Sequence, residues 1–84
     1  MIRVTDEDVK ACITTILSDR KAYDTSLNYA VEYCRAGLGM SGYELKVQVL
    51  YILNNITRWR HPDAKGIREV LKTYTKQKEE TICL

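Results

Sequence analysis

The stretch YELKVQVLYILNNITRWR, residues 43–60, read on into His61-Pro62, decides the fold class. Its apolar residues recur every three or four positions, which is the period of an α-helix; a strand would alternate. One face holds Leu45, Val49, Ile52, Leu53, Ile56 and Trp59. A second stripe holds Val47, Leu50, Tyr51, Asn54 and Arg58. Apolar character on two sides predicts a helix that lies centrally or meets another subunit. Ser41 with Glu44 three residues on reads as a capping box, and Met40 with Leu45 as a hydrophobic staple. The helix is expected over 41–60, stopped by Pro62.

The same spacing holds on both sides of this stretch. A first helix is expected over 5–18. Thr5 is its N-cap, Asp6, Glu7 and Asp8 sit at the positive end of its dipole, and Val4 staples to Val9. Val9, Cys12, Ile13, Ile16 and Leu17 form its stripe. A second helix is expected over 22–37, with Tyr23, Leu27, Ala30, Val31, Cys34 and Leu38 on one face and Gly37 and Gly39 as the stop. A fourth is expected over 62–76, opened by Pro62 and Asp63. There Ala64, Ile67, Leu71 and Tyr74 make a narrow seam opposite Lys65, Arg68, Lys72 and Lys76. The pattern fades after Tyr74, and residues 77–84 are expected to fray. No repeat, linker or low-complexity run divides the chain. Short connections favour antiparallel neighbours, so the expectation is one all-α domain over 1–84, a compact bundle of four helices.

Bulk properties narrow the function. The 84 residues are 45% apolar and 29% charged with a net charge of +2, the composition of a folded domain rather than a disordered tail. The charge is unevenly placed. Residues 1–42 carry five basic and six acidic side chains, and residues 43–84 carry eight and five. The C-terminal half is the side expected to attract an acidic partner. The three cysteines, Cys12, Cys34 and Cys83, have no framework spacing, and two fall on apolar faces. Reduced thiols and a cytoplasmic setting follow as the simpler reading. No stretch is long and apolar enough to span a bilayer.

The inventory disfavours chemistry. One histidine and no closely spaced cysteines leave no zinc-ligand set, so no metal or cofactor is expected. A nucleophilic pair would need Cys12 or Cys34 with His61, and His61 also suits a packing role at the turn between helices 3 and 4. Gly37-Leu38-Gly39 lacks the preceding strand of a nucleotide-binding fingerprint. No catalytic residue is assigned.

Arg58-Trp59-Arg60-His61 is the strongest binding candidate. Two guanidiniums beside an aromatic pair with phosphate or carboxylate and can stack on a base. Lys65 and Arg68 extend the cluster. The same residues also fit a structural role, because Trp59 continues the apolar face and basic side chains suit a helix C-terminus. Val47, Leu50, Tyr51 and Asn54 are the expected oligomer interface. Six tyrosines and no phenylalanine suit half-wet contact surfaces.

Leu38-Gly39-Met40-Ser41, followed by Leu45, resembles the turn of a helix-turn-helix DNA reader over about a dozen residues. That resemblance implies a glycine at the turn and a serine capping a recognition helix. The pattern departs at Arg35, where the motif has a small residue, and at Gln48, where it has an apolar one. The outward positions Gly42, Tyr43, Lys46, Val47 and Leu50 are poor in donors for base edges.

The expectation is therefore a non-catalytic binding protein that, by the second apolar stripe of helix 3, forms a homo-oligomer. It would engage an acidic protein surface, nucleotide or nucleic acid through the basic-aromatic cluster. Small size and absence of chemistry suit an accessory protein of phage or mobile-element type, an inhibitor or a ligand sponge. The alternatives are helix-turn-helix DNA binding and a purely structural self-assembly module.

Overall fold

The computed structural model describes residues 3–77. Four helices form an all-α bundle: α1 (Asp6–Ser18), α2 (Ala30–Gly37), α3 (Gly42–Asn54) and α4 (Ala64–Lys76). Each helix packs against its neighbours in sequence, and α1 closes the ring against α4. One core fills the centre. Val9, Ile13 and Ile16 enter it from α1, Val31 and Cys34 from α2, Leu45, Val49 and Ile52 from α3, and Ile67, Leu71 and Tyr74 from α4.

The start of α1 follows from local chemistry. The Thr5 hydroxyl accepts the Asp8 N–H at 3.2 Å, and the Asp8 carboxylate accepts the Thr5 N–H at 3.0 Å. This reciprocal cap satisfies two of the helix's orphan donors. Val4 and Val9 are both buried beside it, as a staple requires.

Three boundaries depart from the expected ranges. The second helix begins at Ala30, not at residue 22. A 3-10 turn over Arg20–Ala22 and further turns occupy 20–29 instead. Asp24, Thr25, Ser26 and Asn28 lie in this segment, residue types that favour turns over helix interiors. The Thr25 hydroxyl bonds Ala22 O, and the Tyr23 hydroxyl reaches back to Leu17 O. Leu27 still reaches the core, because its N–H skips to Ala22 O and turns the chain inward.

The third helix ends at Asn54 rather than at residue 60. The Asn55 side chain donates to Tyr51 O at 2.8 Å and caps the final turn. Turns carry the chain onward so that Ile56 and Trp59 stay buried without helical geometry. At its other end the Ser41 side chain makes no capping bond. Gly42 adopts φ +59, in the left-handed region that glycine tolerates, and donates its N–H to Asp6 at 3.0 Å. A carboxylate from α1 thus serves the first N–H of α3, a donor outside the expected box, while the Ser41 bond of that box is absent. The fourth helix begins at Ala64, two residues after Pro62.

The chain is anchored through Gln77. Its side-chain oxygen accepts the Val4 N–H and its amide donates to Val4 O. The Gln77 carbonyl accepts Lys46 Nζ at 2.8 Å. The fraying expected at the C-terminus otherwise concerns 78–84, which lie outside the described residues, as does Cys83.

Between α2 and α3 the contact is close. A methyl group at Gly37 would sit 3.2 Å from Ile13 Cδ1 and 3.5 Å from Gln48 Cγ. Gln48 is buried in this contact and donates to Tyr33 O at 2.9 Å. A buried amide costs stability unless bonded, and this bond supplies the compensation. Among the described residues no helix is long and apolar enough to cross a membrane.

Candidate functional site

The basic-aromatic cluster lies where the turns after α3 meet the end of α1. Trp59 is 2% exposed, and its indole N–H donates to the Asp19 carboxylate at 2.8 Å. Asp19 is the C-cap residue of α1. This single bond fastens the α3–α4 connection to the α1–α2 connection. The His61 ring stacks on the indole with centroids 5.1 Å apart. His61 Nδ1 accepts the Asp63 N–H at 3.0 Å and so serves the turn into α4.

Trp59 therefore faces inward, and its ring is not available for stacking on a ligand. Arg68 is also engaged. It is half-buried and donates to Trp59 O at 3.2 Å and to Ile56 O at 3.4 Å. Those carbonyls belong to turns that lack helical partners, so the guanidinium satisfies acceptors that a helix would have bonded itself.

Arg58, Arg60 and Lys65 are exposed. Because Asp19 holds Trp59, the residues that follow Asp19 arrive at the same end of the bundle. These are Arg20 and Lys21, both exposed. Sequence reading placed them in the acidic half of the chain, 37 or more positions from Arg58. Their only signal was adjacency to Asp19, and nothing local links Asp19 to Trp59. Among the described residues, none of these five cations forms a side-chain hydrogen bond or an ion pair within 4.0 Å. Arg35, by contrast, lies 4.0 Å from Glu32.

The expected interface residues gather on the outside of α3. Leu50 is 48% exposed and Tyr51 49% exposed, Asn54 is exposed, and Val47 is half-buried. The Tyr51 ring stacks on Tyr33 of α2 with centroids 5.5 Å apart.

The thiols sit elsewhere. Cys34 is fully buried, and burial pushes its pKa up to about 12. Cys12 is half-buried and raised for the same reason, with Asp8 adding to the shift. Neither favours the thiolate form a nucleophile needs. Among the described residues, no three His, Cys, Asp or Glu side chains converge on a point that could hold a metal ion.

In comparisons with known proteins, the chain matches no family model, no curated protein and no solved structure.

Proposed function

We propose that this chain is a non-catalytic binding protein whose basic end engages an acidic surface or segment of another protein. The observation that carries this reading is the buried Trp59–Asp19 bond, which joins the chain segment bearing exposed Arg20 and Lys21 to the one bearing exposed Arg58 and Arg60, with exposed Lys65 in the first turn of α4 that follows; none of the five has an ionic partner among the described residues. Cations kept unpaired on one end of a small domain are a source of electrostatic attraction and orientation. Trp59, His61 and Arg68 act as the frame of this site, and the exposed cations are its contacting groups.

A carboxylate-bearing protein suits the site better than bases do. The aromatic ring of the cluster is buried, so no stacking platform accompanies the charges. The net charge of +2 is small for a protein that grips a phosphate backbone. The helix-turn-helix reading loses ground for a related reason. Lys46 is the charged donor among its outward positions, and its ammonium is bonded to the Gln77 carbonyl.

Fluorescence anisotropy at low salt tests this, with labelled polyglutamate and labelled duplex and single-stranded oligonucleotides as probes. The expected result is salt-sensitive binding of polyglutamate that is lost in Arg58→Glu/Arg60→Glu while the helical circular dichroism is unchanged. Tighter binding of an oligonucleotide would transfer the site to a phosphate partner. Binding of none of the probes would remove the proposal.

A further inference from the structure

The outer face of α3 offers a different kind of surface. Tyr43, Val47, Leu50, Tyr51 and Asn54 occupy its solvent side at helical spacing, and none carries a charge. Tyr43 is 70% exposed, which is more than either Leu50 or Tyr51. Tyr33 of α2, 36% exposed, continues the patch by stacking on Tyr51. The opposite side of the helix is fully used, with Leu45, Val49 and Ile52 entirely buried. Glu44 and Lys46 border the patch on opposite flanks, and the Lys46 ammonium is held by Gln77 O at 2.8 Å. A side chain tethered in this way keeps its charge out of the patch.

We infer that this face is an interface between two copies of the chain, with α3 packed antiparallel against α3 about a two-fold axis near Val47 and Leu50.

Area and charge point to a second copy. An aromatic side chain buries about 150–250 Å² when fully covered. At 70, 49 and 36% exposure, Tyr43, Tyr51 and Tyr33 together offer about 230–390 Å² of the about 800 Å² per partner that a standard interface takes, and Leu50, Val47 and Asn54 add to it. The uncharged arc has nothing for a charged partner to complement. A face of the same composition fits it, as a self-complementary interface requires.

The orientation follows from the basic end. Arg58 and Arg60 lie just beyond the C-terminus of α3. A parallel pair would set both basic ends side by side. An antiparallel pair separates them by the length of the helix, about 20 Å for its 13 residues. That exceeds the Debye length of about 8–10 Å at physiological salt, so repulsion between the ends is screened. Antiparallel pairing also brings Tyr43 of one copy opposite Asn54 of the other, and Glu44 meets neither Glu44 nor Lys46 of its mate.

Sedimentation equilibrium of the full chain across a micromolar concentration range tests the inference. Dimers are expected. Leu50→Lys and Leu50→Glu should each be monomeric with unchanged circular dichroism, and a mixture of the two should restore a dimer. Tyr43→Glu, at the most exposed position of the patch, provides a second disruption. Orientation is read by oxidising Asn54→Cys in a Cys83→Ser chain, where antiparallel pairing gives no disulfide-linked dimer. A wild-type chain that stays monomeric, or a Leu50→Lys chain that stays dimeric, overturns the interface. A wild-type monomer that dimerises on Ile82→Ser/Leu84→Ser would assign the face to the chain's own C-terminal residues and overturn it equally. Efficient cross-linking through position 54 overturns the antiparallel arrangement.

Discussion

The two ends of α1 are closed by the same device with different consequences. At its start, the Asp6 carboxylate accepts the Tyr74 hydroxyl at 2.6 Å through one oxygen and the Gly42 N–H at 3.0 Å through the other. At its finish, Asp19 accepts the Trp59 indole N–H at 2.8 Å through a single oxygen. Each bond joins α1 to a distant part of the chain, and each gives a buried aromatic a partner for its polar atom. The first end draws α1, α3 and α4 together, and the nearby Lys46 is bonded to Gln77. The second end is fastened just as definitely, and Arg20, Lys21, Arg58 and Arg60, the neighbours in sequence of its bonded pair, are exposed with no ionic partner among the described residues. Exposed Lys76, beside Gln77 at the first end, is likewise without an ionic partner among the described residues, so the second end is set apart by gathering more such cations, and closure of the fold does not account for the excess.

The largest loss of stability is expected at Trp59. Trp59→Ala removes the largest fully buried side chain and leaves the Asp19 carboxylate without its donor. A loss of about 3–5 kcal/mol is expected in urea unfolding. A loss below about 1 kcal/mol would show that the basic end is not built on this residue.

A sharper contrast lies between the two carboxylates. An asparagine has one acceptor oxygen, and Asp6 uses two. Asp6→Asn should therefore cost about 1–3 kcal/mol. Asp19→Asn keeps an acceptor for the indole and should cost less than about 1 kcal/mol. Equal losses by thermal unfolding would mean that the two closures are energetically alike.

The pH dependence separates the ends further. The Tyr74 hydroxyl and then the Gly42 N–H hold the Asp6 carboxyl below its ordinary value of 3.8, with Lys10 also contributing. Because the native value is the lower one, the stabilisation is fully present above the unfolded value and is lost as pH falls through the native value. Tyr74→Phe should accordingly be less stable than wild type at neutral pH by about 1–2 kcal/mol. The gap should narrow in acid unfolding curves below pH 3.8. A gap that is constant across that range would assign the loss to packing alone.

The exposed cations should matter least to the fold. Arg58→Glu/Arg60→Glu is expected to shift stability by no more than about 0.5 kcal/mol, the usual range for surface changes. A larger shift would make these arginines part of the closure. The buried thiol provides the smallest effect. Cys34 should stay unlabelled by a thiol reagent in the native protein at neutral pH and react only on unfolding, because desolvation holds its pKa at about 12.

Much of the architecture was legible wherever a local pattern had no tertiary competitor. The Ala64, Ile67, Leu71, Tyr74 seam is buried along its whole length, and Thr5 caps α1; the reciprocal bond from the Asp8 carboxylate to Thr5 is the structure's addition. Legibility failed where a distant group could outbid a local one. Ser41 and Glu44 spell a capping box, yet the Ser41 side chain makes no capping bond, and the start of α3 is held by Asp6 of α1 at the neighbouring Gly42 N–H. The apolar period continues to Trp59, yet burial of Ile56 and Trp59 is met by turns, with Arg68 covering the released carbonyls. Periodicity reports which side chains are buried, and a turn and a helix can bury the same residues.

The candidate site divides in the same way. Arg58, Arg60 and Lys65 were readable as a charge cluster beside an apolar helix. That Trp59 and Arg68 face inward was open, because an aromatic and a guanidinium suit both a frame and a contact surface. Arg20 and Lys21 could not be read at all, since only the Asp19–Trp59 bond across 40 positions brings them there.

By itself the sequence determined the all-α class, the inward stripes and the excess of positive charge in the C-terminal half. These follow from residue spacing and composition, which act over a few positions of chain. Only the tertiary structure decided where α2 begins, where α3 ends, which polar side chain serves which backbone group, and which cations share an end. Those choices depend on groups far apart in sequence competing for the same few donors and acceptors, and the competition exists only once the helices have packed.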